Sequence, residues 1–265
     1  MIRAEERDEP DGSFLDDPQS PLFATAEARG EVAYLRALGA PCGSGVVRAR
    51  FADEILAAAV RSGVRQVVCL GAGYDTRAFR LALPADLTLF ELESPEQLSA
   101  KQRVLDGAGL VPSCRRRAVG TDLRGQWLPE LLAAGYRPGE PCLWIAEGLL
   151  HYLDRSAADL LIATVTTVTA PGSSLFFDVH GSLFHHDPAH RRYLRFLRGH
   201  GAPYAEGFDD PAGWLTGHGW RAEAYLPADL AAGRCPWLPV VPRRLLTDHR
   251  HVWYVHATIG TAAPR

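Results

Sequence analysis

Short apolar runs alternate with segments of helical spacing through the middle of the chain. The five runs cover residues 66–71, 87–93, 114–120, 142–148 and 174–181. Nearly continuous apolar strands with helices between them are typical of a parallel sheet that is covered on both faces. The third run contains three arginines, and we assign it as a strand mainly because a strand is due at that spacing.

Helical periodicity surrounds these runs. The predicted helices cover residues 23–38, 46–60, 95–105 and 156–168. The first two precede any strand and would form a cap over residues 21–62. Ser94 and Asp154 stand just before the other two, and side chains of these types accept hydrogen bonds from the free N–H groups of a first helical turn.

Beyond residue 181 the pattern is less regular. A helix is predicted over residues 188–198, an irregular element over 207–219, and two late strands over 218–226 and 251–259, while the Pro-rich stretch between the strands stays unassigned. These elements predict a Rossmann-like α/β fold, mostly parallel with a late antiparallel strand, and a lid insertion at 182–217 after the fifth strand. Residues 21–265 would form one domain, because no linker divides them. Residues 1–20, rich in Asp, Glu and Pro, are predicted to be a flexible tail.

Composition excludes several classes of partner. A formal net charge of -3 offers no basic surface for nucleic acid. No segment approaches the roughly 20 apolar residues that cross a bilayer, and the first 17 residues lack the apolar core of a secretory signal. The five cysteines are widely spaced and never at zinc-ligand spacing, which favours a reducing compartment and no metal site. We therefore expect a cytoplasmic protein with a small-molecule substrate, in an oligomeric state that includes a homodimer among the options.

A glycine turn follows the first strand. Gly71 and Gly73 precede a helix, where glycines let a ligand approach main-chain N–H groups. Glu93 comes 20 residues after Gly73, the separation at which an acidic side chain reaches a ribose in doubly wound folds. Thr76 stands where a dinucleotide fingerprint has its third glycine, and Asp75 would repel phosphates but suits a sulfonium or ammonium group.

Further carboxylates follow the third and fourth strands. Asp122 and Leu123 could accept from an adenine amine and cover the ring, respectively. Glu147 ends an unusually apolar run. Ligands of open α/β sheets bind at these carboxyl ends of strands, so a nucleotide-like ligand is expected there.

Four motifs together resemble the leucine carboxyl methyltransferase-like family. They are LGAGYDTRAFRL (70–81), FELESPEQLSAKQRVL (90–105), TDLR (121–124) and AEGLLHYL (146–153), in the family's order and spacing. This family of S-adenosylmethionine-dependent enzymes includes bacterial O-methyltransferases, some of which methylate carboxyl groups of aromatic polyketides.

The resemblance implies roles for single residues. Gly71 would contact the methionine part of the cofactor, Glu93 the ribose, Asp122 with Leu123 the adenine, and Glu147 the methionine amine, with Gly73 and Asp75 beside them. The family pairs the methionine carboxylate with an arginine in the helix before the first strand, and of Arg48 and Arg50 the spacing favours Arg48. Glu93 replaces the family's usual aspartate, and its N-terminal basic contact to the cofactor has no counterpart that the sequence identifies.

The sequence therefore predicts an S-adenosylmethionine-dependent O-methyltransferase that acts on a carboxylate or phenol of a polyketide-like metabolite. A protein C-terminal carboxyl methyltransferase and an NAD-binding oxidoreductase are the alternatives. A carboxylate acceptor needs no base, whereas a phenol benefits from one, for which His151 and His180 are candidates. The candidate substrate contacts are Tyr152, His180 and Tyr204, and further aromatic residues of the lid region (Phe208, Trp214, Trp220, Trp237) could line the acceptor pocket or belong to the core.

Overall fold

Seven strands form a single sheet in the computed structural model, which describes residues 2–6, 13–246 and 251–260. The strands are β1 (Gln66–Leu70), β2 (Thr88–Glu93), β3 (Arg115–Gly120), β4 (Cys142–Ala146), β5 (Ser174–His180), β6 (Trp220–Tyr225) and β7 (Val252–Ile259). Their order in the sheet is β3-β2-β1-β4-β5-β7-β6, and β7 runs antiparallel to both of its neighbours. The predicted Rossmann-like sheet with one late antiparallel strand is confirmed.

Helices cover both faces of this sheet. They are α1 (Ile2–Glu6), α2 (Ala26–Ala37), α3 (Ser44–Arg61), α4 (Arg77–Arg80), α5 (Pro95–Gly107), α6 (Leu128–Ala133), α7 (Arg155–Thr167), α8 (Leu183–His186), α9 (Arg191–Gly199), α10 (Pro211–Gly217) and α11 (Pro227–Ala231). Both predicted N-caps are present: Ser94 accepts from the N–H of Gln97, and Asp154 from that of Ala157. Within the described segments, no helix has the length and apolar character needed to cross a membrane.

The arginine-rich third run is a strand because it lies at the sheet edge. Arg115 and Arg117 are exposed there, where charged side chains also hinder pairing with another chain. Arg116 instead reaches the fully buried Glu91 of β2, at 2.8 Å, and Lys101 of α5 contacts the same carboxylate at 2.7 Å. Glu91 is therefore neutralised inside the fold, away from the strand tips.

Part of the N-terminal segment that the sequence predicts as a flexible tail contacts the rest of the fold. Helix α1 is formed, Leu15 is fully buried, and the buried Asp17 pairs with Arg3 and accepts from the hydroxyl of Thr76. Glu6 accepts from the backbone N–H of Phe14. Composition alone overlooked these partners. Residues 1 and 7–12 of the predicted tail lie outside the described residues.

The predicted cap and lid pack on each other at one end of the sheet. Their small apolar cluster joins Leu38, Ala40 and Cys42 of the cap to Phe184, Tyr193 and Leu197 of the lid. Most of the aromatic residues considered for an acceptor pocket belong elsewhere. Phe208, Trp214 and Trp220 are buried in the core on one face of the sheet, and Trp237 packs against His256 of β7. The ring of Tyr204 does lie beside the rings of the candidate histidines His151 and His180.

Candidate functional site

The turn after β1 has the conformation that only glycine adopts readily. Gly71 and Gly73 have φ of +67° and +44°. The N–H groups of Gly71 and Ala72 both donate to the carbonyl of Leu92, at 3.0 Å, and Gly73 donates to Glu93 Oε2 at 3.0 Å. The expectation of free N–H donors is therefore wrong: the glycines permit close approach, but the protein itself uses the donors.

Glu93 holds this turn against the start of α5. One carboxylate oxygen accepts from Gly73 and the other from the N–H of Ser94, at 2.8 Å. The side chain stays half-buried, at the carboxyl end of β2 beside the glycine turn. A carboxylate retains further lone pairs in this arrangement, and these can accept from the two hydroxyls of a ribose.

A buried ion cluster centred on Arg77 lies beneath the turn; we name it the Arg77 cluster. The guanidinium is fully buried and contacts Asp53 at 2.7 Å, Asp75, Glu147 and the carbonyl of Ala49 at 3.0 Å. Burial raises the pKa of Asp75, but the positive charges around it, above all Arg77, lower it by more. The pKa of Asp75 is therefore well below its ordinary value. Asp75 is thus committed to Arg77, and its placement gives little support to a direct contact with the cofactor.

Arg77 belongs to the motif LGAGYDTRAFRL (70–81), which the sequence connected only with the family resemblance. Its role could not be derived from spacing, because Asp53 and Glu147 come from other parts of the chain. Glu147 keeps 16% of its side chain exposed, and this exposed part faces the cavity described next.

A cavity of about 270 Å³ lies over the carboxyl ends of β1 and β4. The residues that line it include five predicted cofactor contacts, namely Arg48, Gly71, Gly73, Asp75 and Glu147. Arg3 also lines it and donates to the carbonyl of Tyr74 at 2.7 Å. Arg3 is an N-terminal basic residue at the cavity, and sequence reasoning missed it because 70 residues separate it from the turn it touches.

The predicted adenine contacts lie outside this cavity. Asp122 and Leu123 follow β3, further along the same edge of the sheet. Asp122 is exposed, and its carboxylate is bound by the side chain of Arg124 at 3.1 Å, while Leu123 packs against the core. The cavity therefore covers the position expected for the methionine half of the cofactor. The position expected for the adenine lies outside it, next to the exposed Asp122.

A second buried ion cluster, the Asp178 cluster, lies on the other side of Glu147. Asp178 is fully buried in β5 and accepts from the N–H of Gly148 at 2.7 Å, from Arg48 at 3.2 Å and from His151 Nε2 at 3.1 Å. Burial raises the pKa of Asp178, but Arg48 and His151 lower it more, so that its pKa lies well below the ordinary value. Sequence reasoning missed Asp178, although an acidic residue inside the apolar run SLFFDVHG was an available signal.

Aromatic rings surround His151; we call His151, His180, Phe184 and Tyr204 the ring cluster. The centroid of His151 lies 4.0 Å from that of His180 and 5.2 Å from that of Tyr204, and His180 stacks on Phe184 at 3.8 Å. Burial lowers the pKa of His180 well below its ordinary value. Tyr152, predicted as a substrate contact, is 46% exposed and meets Tyr204 edge to face.

The cofactor expected from the sequence can be tested against these residues. S-Adenosylmethionine carries an ammonium and a carboxylate at one end, a sulfonium in the middle and a ribose and adenine at the other. Glu147, Arg48 with Arg3, and Glu93 present charges or acceptors of the matching kind around the glycine turn. The residues therefore fit the methionine and ribose parts. In the described part of the chain, no group of three His, Cys, Asp or Glu side chains is arranged to hold a metal ion.

The fold and the site together define the class I S-adenosylmethionine-dependent methyltransferases. A protein from Thermobifida fusca, described as a methyltransferase, superimposes with a TM-score of 0.62 over 89% of this chain and 90% of its own, at 17% identity. A DUF574 family protein from Streptomyces avermitilis superimposes with a TM-score of 0.59 over 97% and 95%, at 14% identity. At such low identities these likenesses concern the fold alone.

The chain belongs to the leucine carboxyl methyltransferase family, whose model matches residues 2–166. A relative from Parafrankia sp. (strain EAN1pec) is 39% identical over 232 residues, which are 83% of this chain and 74% of the relative. One from Frankia alni is 40% identical over 233 residues, covering 82% and 78%. Both are named as S-adenosyl-L-methionine-dependent methyltransferases. The family, the methyltransferase class and the cofactor expected from the sequence are confirmed.

Proposed function

We propose that the protein transfers the methyl group of S-adenosylmethionine to an oxygen atom of a small molecule, a carboxylate or a phenol of a polyketide-like metabolite. The observation that supports this most directly is the position of Arg48, which borders the cavity and also pairs with Asp178 beneath the ring cluster. Burial lowers the pKa of Arg48, but the charges of Asp178, Glu147 and Tyr204 raise it above its ordinary value. An aromatic acceptor in contact with the ring cluster would thus lie next to the cofactor.

Separate residues of the chain would bind the cofactor and exclude water during such a transfer. The cofactor, when bound, supplies an electrophilic methyl group on a positively charged sulfur. Glu147 binds the ammonium and Arg48 the carboxylate of its amino-acid end, which fixes the direction of the methyl group. The cap and lid, packed together through Leu38 and Phe184, exclude water from the acceptor side. The remaining requirement is alignment of the acceptor oxygen within about 3 Å of the methyl carbon.

The engaged backbone donors argue against the NAD-binding alternative. A pyrophosphate binds to free N–H groups at a glycine turn, and those of Gly71, Ala72 and Gly73 are already used. Thr76, at the position of the third glycine, is fully buried and donates to Asp17 at 2.8 Å. Family membership points the same way.

A methyltransferase for protein C-termini is the second candidate, because the family's description names leucine carboxyl groups. A peptide acceptor needs an open groove that accepts an extended chain. The ring cluster is instead buried, with His151 at 5% and His180 at 3% exposure. Burial of these rings leaves little surface for an extended chain, and for this reason we place a small acceptor before a polypeptide.

The experiment is mass spectrometry after incubation with S-adenosylmethionine and a panel of acceptors. The panel contains aromatic carboxylic acids, phenols with the same ring skeletons, and peptides ending in leucine with free or amidated carboxyl groups. We expect a mass gain of one CH₂ on acids or phenols and none on their O-methylated forms. Transfer to the free peptides alone would replace this proposal by the second candidate. Calorimetric titration with S-adenosylhomocysteine establishes separately that the cofactor site is intact.

A further inference from the structure

Two buried ring nitrogens in the ring cluster have no hydrogen-bond partner in the described structure: Nδ1 of His151 and Nδ1 of His180. A buried polar atom without a partner costs free energy, so each one calls for a structural or functional explanation. The two nitrogens differ in their surroundings, because His151 is bound to a carboxylate through its other nitrogen and His180 has no such contact.

The partner of His151 fixes which nitrogen carries its proton. Asp178 also receives Arg48 and the N–H of Gly148, and its lowered pKa keeps it ionised and able only to accept. A neutral His151 must therefore donate through Nε2, which leaves a lone pair on Nδ1. The same carboxylate would stabilise the positive charge if Nδ1 then took a proton. His180, with a pKa well below its ordinary value, is a weaker proton acceptor.

His151 also stands close to the cofactor end of the site. It lies in a short 3-10 turn, Leu150–Tyr152, directly after Glu147 and Gly148, and Asp178 joins that turn to Gly148. On its other side the segment before α10 covers it: Ala205 donates to the carbonyl of His151 at 2.8 Å. The charged and titratable groups that face His151 are Asp178 and His180 of β5, Arg48 of α3 and Tyr204 of this covering segment.

We infer that His151 is the general base of the transfer, that Asp178 is its positioning residue, and that the acceptor is a weakly acidic hydroxyl, a phenol or enol, rather than a carboxylate. This inference rests on the proposed function and narrows it. A carboxylate is ionised at neutral pH and would leave the base without a task.

The proton and electron balance is simple. The acceptor hydroxyl gives its proton to His151 Nδ1, while an oxygen lone pair forms the new bond to the methyl carbon. The carbon–sulfur bond breaks, and its electron pair stays on sulfur. The products are a methyl ether, a neutral thioether and an imidazolium beside Asp178, which returns its proton to solvent before the next turnover.

The test begins with any phenol that the acceptor panel shows to be methylated. In His151→Asn we expect kcat to fall about 100-fold or more and the acid limb of the kcat/KM profile against pH to disappear. Affinity for S-adenosylhomocysteine should stay within about twofold, since His151 does not line the cofactor cavity. Asp178→Asn should lower kcat and shift the acid limb, and Asp178→Glu should restore part of both. His256→Asn, which changes a buried histidine that packs against Trp237 and lies outside the ring cluster, is the control and should keep the wild-type profile.

A second readout needs no turnover. With S-adenosylhomocysteine bound, ultraviolet difference spectra should show a larger phenolate fraction of the bound phenol in the wild type than in His151→Asn. An unchanged kcat and acid limb in His151→Asn would overturn the assignment, as would a parallel loss of S-adenosylhomocysteine affinity, which indicates a structural role. Methylation of carboxylic acids alone would refute the base but leave the proposed function standing. No transfer to any acid or phenol, with the cofactor product bound, would refute both.

Discussion

Two buried ion clusters lie on either side of Glu147 and Gly148, and they are built in opposite ways. In the Arg77 cluster one cation is surrounded by three carboxylates and a carbonyl oxygen. In the Asp178 cluster one carboxylate gathers an arginine, a histidine and a backbone N–H. In the first cluster, the N–H donors of Arg77 are bound by other residues of the protein. The second contains a histidine whose other ring nitrogen is left without a partner.

The Arg77 cluster therefore has the features of a structural network, and the Asp178 cluster has those of a catalytic one. A saturated buried network fixes the positions of its members, and here it ties α3, the glycine turn and the end of β4 together. A network with one buried polar atom left over carries a cost that support alone does not explain. We therefore expect changes in the Arg77 cluster to act mainly on stability, and changes in the Asp178 cluster to act on turnover and on its dependence on pH.

The largest effect is expected from Arg77→Met. Removal of the guanidinium leaves Asp75 and Glu147 without their shared cation and leaves Asp53 paired with Arg80 alone, and breaking a buried ion network in this way costs about 3–5 kcal/mol. Urea unfolding measures the loss. Arg124→Ala is the control, because Arg124 forms an exposed pair with Asp122 and should leave the unfolding free energy unchanged. A loss below about 1 kcal/mol in Arg77→Met would remove the contrast between the clusters.

Buried histidines and buried carboxylates should lose their contributions to stability in different pH ranges. Burial lowers the pKa of His180, and of His256 to about 4, so the unfolded chain binds protons at these histidines before the folded chain does. The unfolding free energy should therefore fall as the pH drops below about 6.5, by up to about 1.4 kcal/mol per pH unit for each histidine. Asp75 has a lowered pKa, so its contribution persists until the pH falls below about 3.9, the unfolded value.

Urea unfolding between about pH 6.5 and pH 4 tests this order of events. His180→Gln should flatten the decline, and His256→Gln should remove a separate share of it. A decline that begins only below about pH 4 in the wild type would show that the carboxylates, and not the buried histidines, limit acid stability.

Sequence reasoning succeeded where the signal was local and failed where it depended on distant partners. The strands and the N-caps Ser94 and Asp154 follow from neighbouring residues, so the fold was predictable. The roles of Arg77 and Asp178 depend on partners up to 130 residues away, which no spacing rule connects. The same holds for Arg3 at the cavity.

The glycine turn shows a subtler limit. Its motif predicted a close approach of backbone and ligand, and the positive φ at Gly71 and Gly73 is compatible with that prediction. Which N–H groups stay free depends on the carbonyl of Leu92 and the carboxylate of Glu93, whose positions come from strand pairing. Likewise, composition could not decide whether Trp214 lined a pocket or the core, because both environments select aromatic residues.

Glu147→Gln should sharpen the comparison, because Glu147 belongs to the Arg77 cluster and also lines the cavity. Loss of the carboxylate that would bind the cofactor's ammonium should weaken S-adenosylhomocysteine binding more than tenfold in calorimetric titration. Asp53→Asn is the matched variant: it contacts the same arginine from outside the cavity, so it should lower stability and keep the affinity within about twofold. Equal losses of affinity in both variants would mean that Glu147 acts only through Arg77.

The smallest effect is expected from Asp122→Ala, at the open end of the site. Asp122 is exposed and bound to Arg124, so binding an adenine amine requires it to exchange one partner for another. Loss of one such hydrogen bond should lower the affinity for S-adenosylhomocysteine by roughly threefold to tenfold. The free energy of unfolding should stay unchanged. S-Inosylhomocysteine, which lacks the exocyclic amine, identifies the contact: the wild type should bind it more weakly than S-adenosylhomocysteine, and Asp122→Ala should bind the two alike. Continued discrimination by Asp122→Ala would assign the adenine edge to another residue.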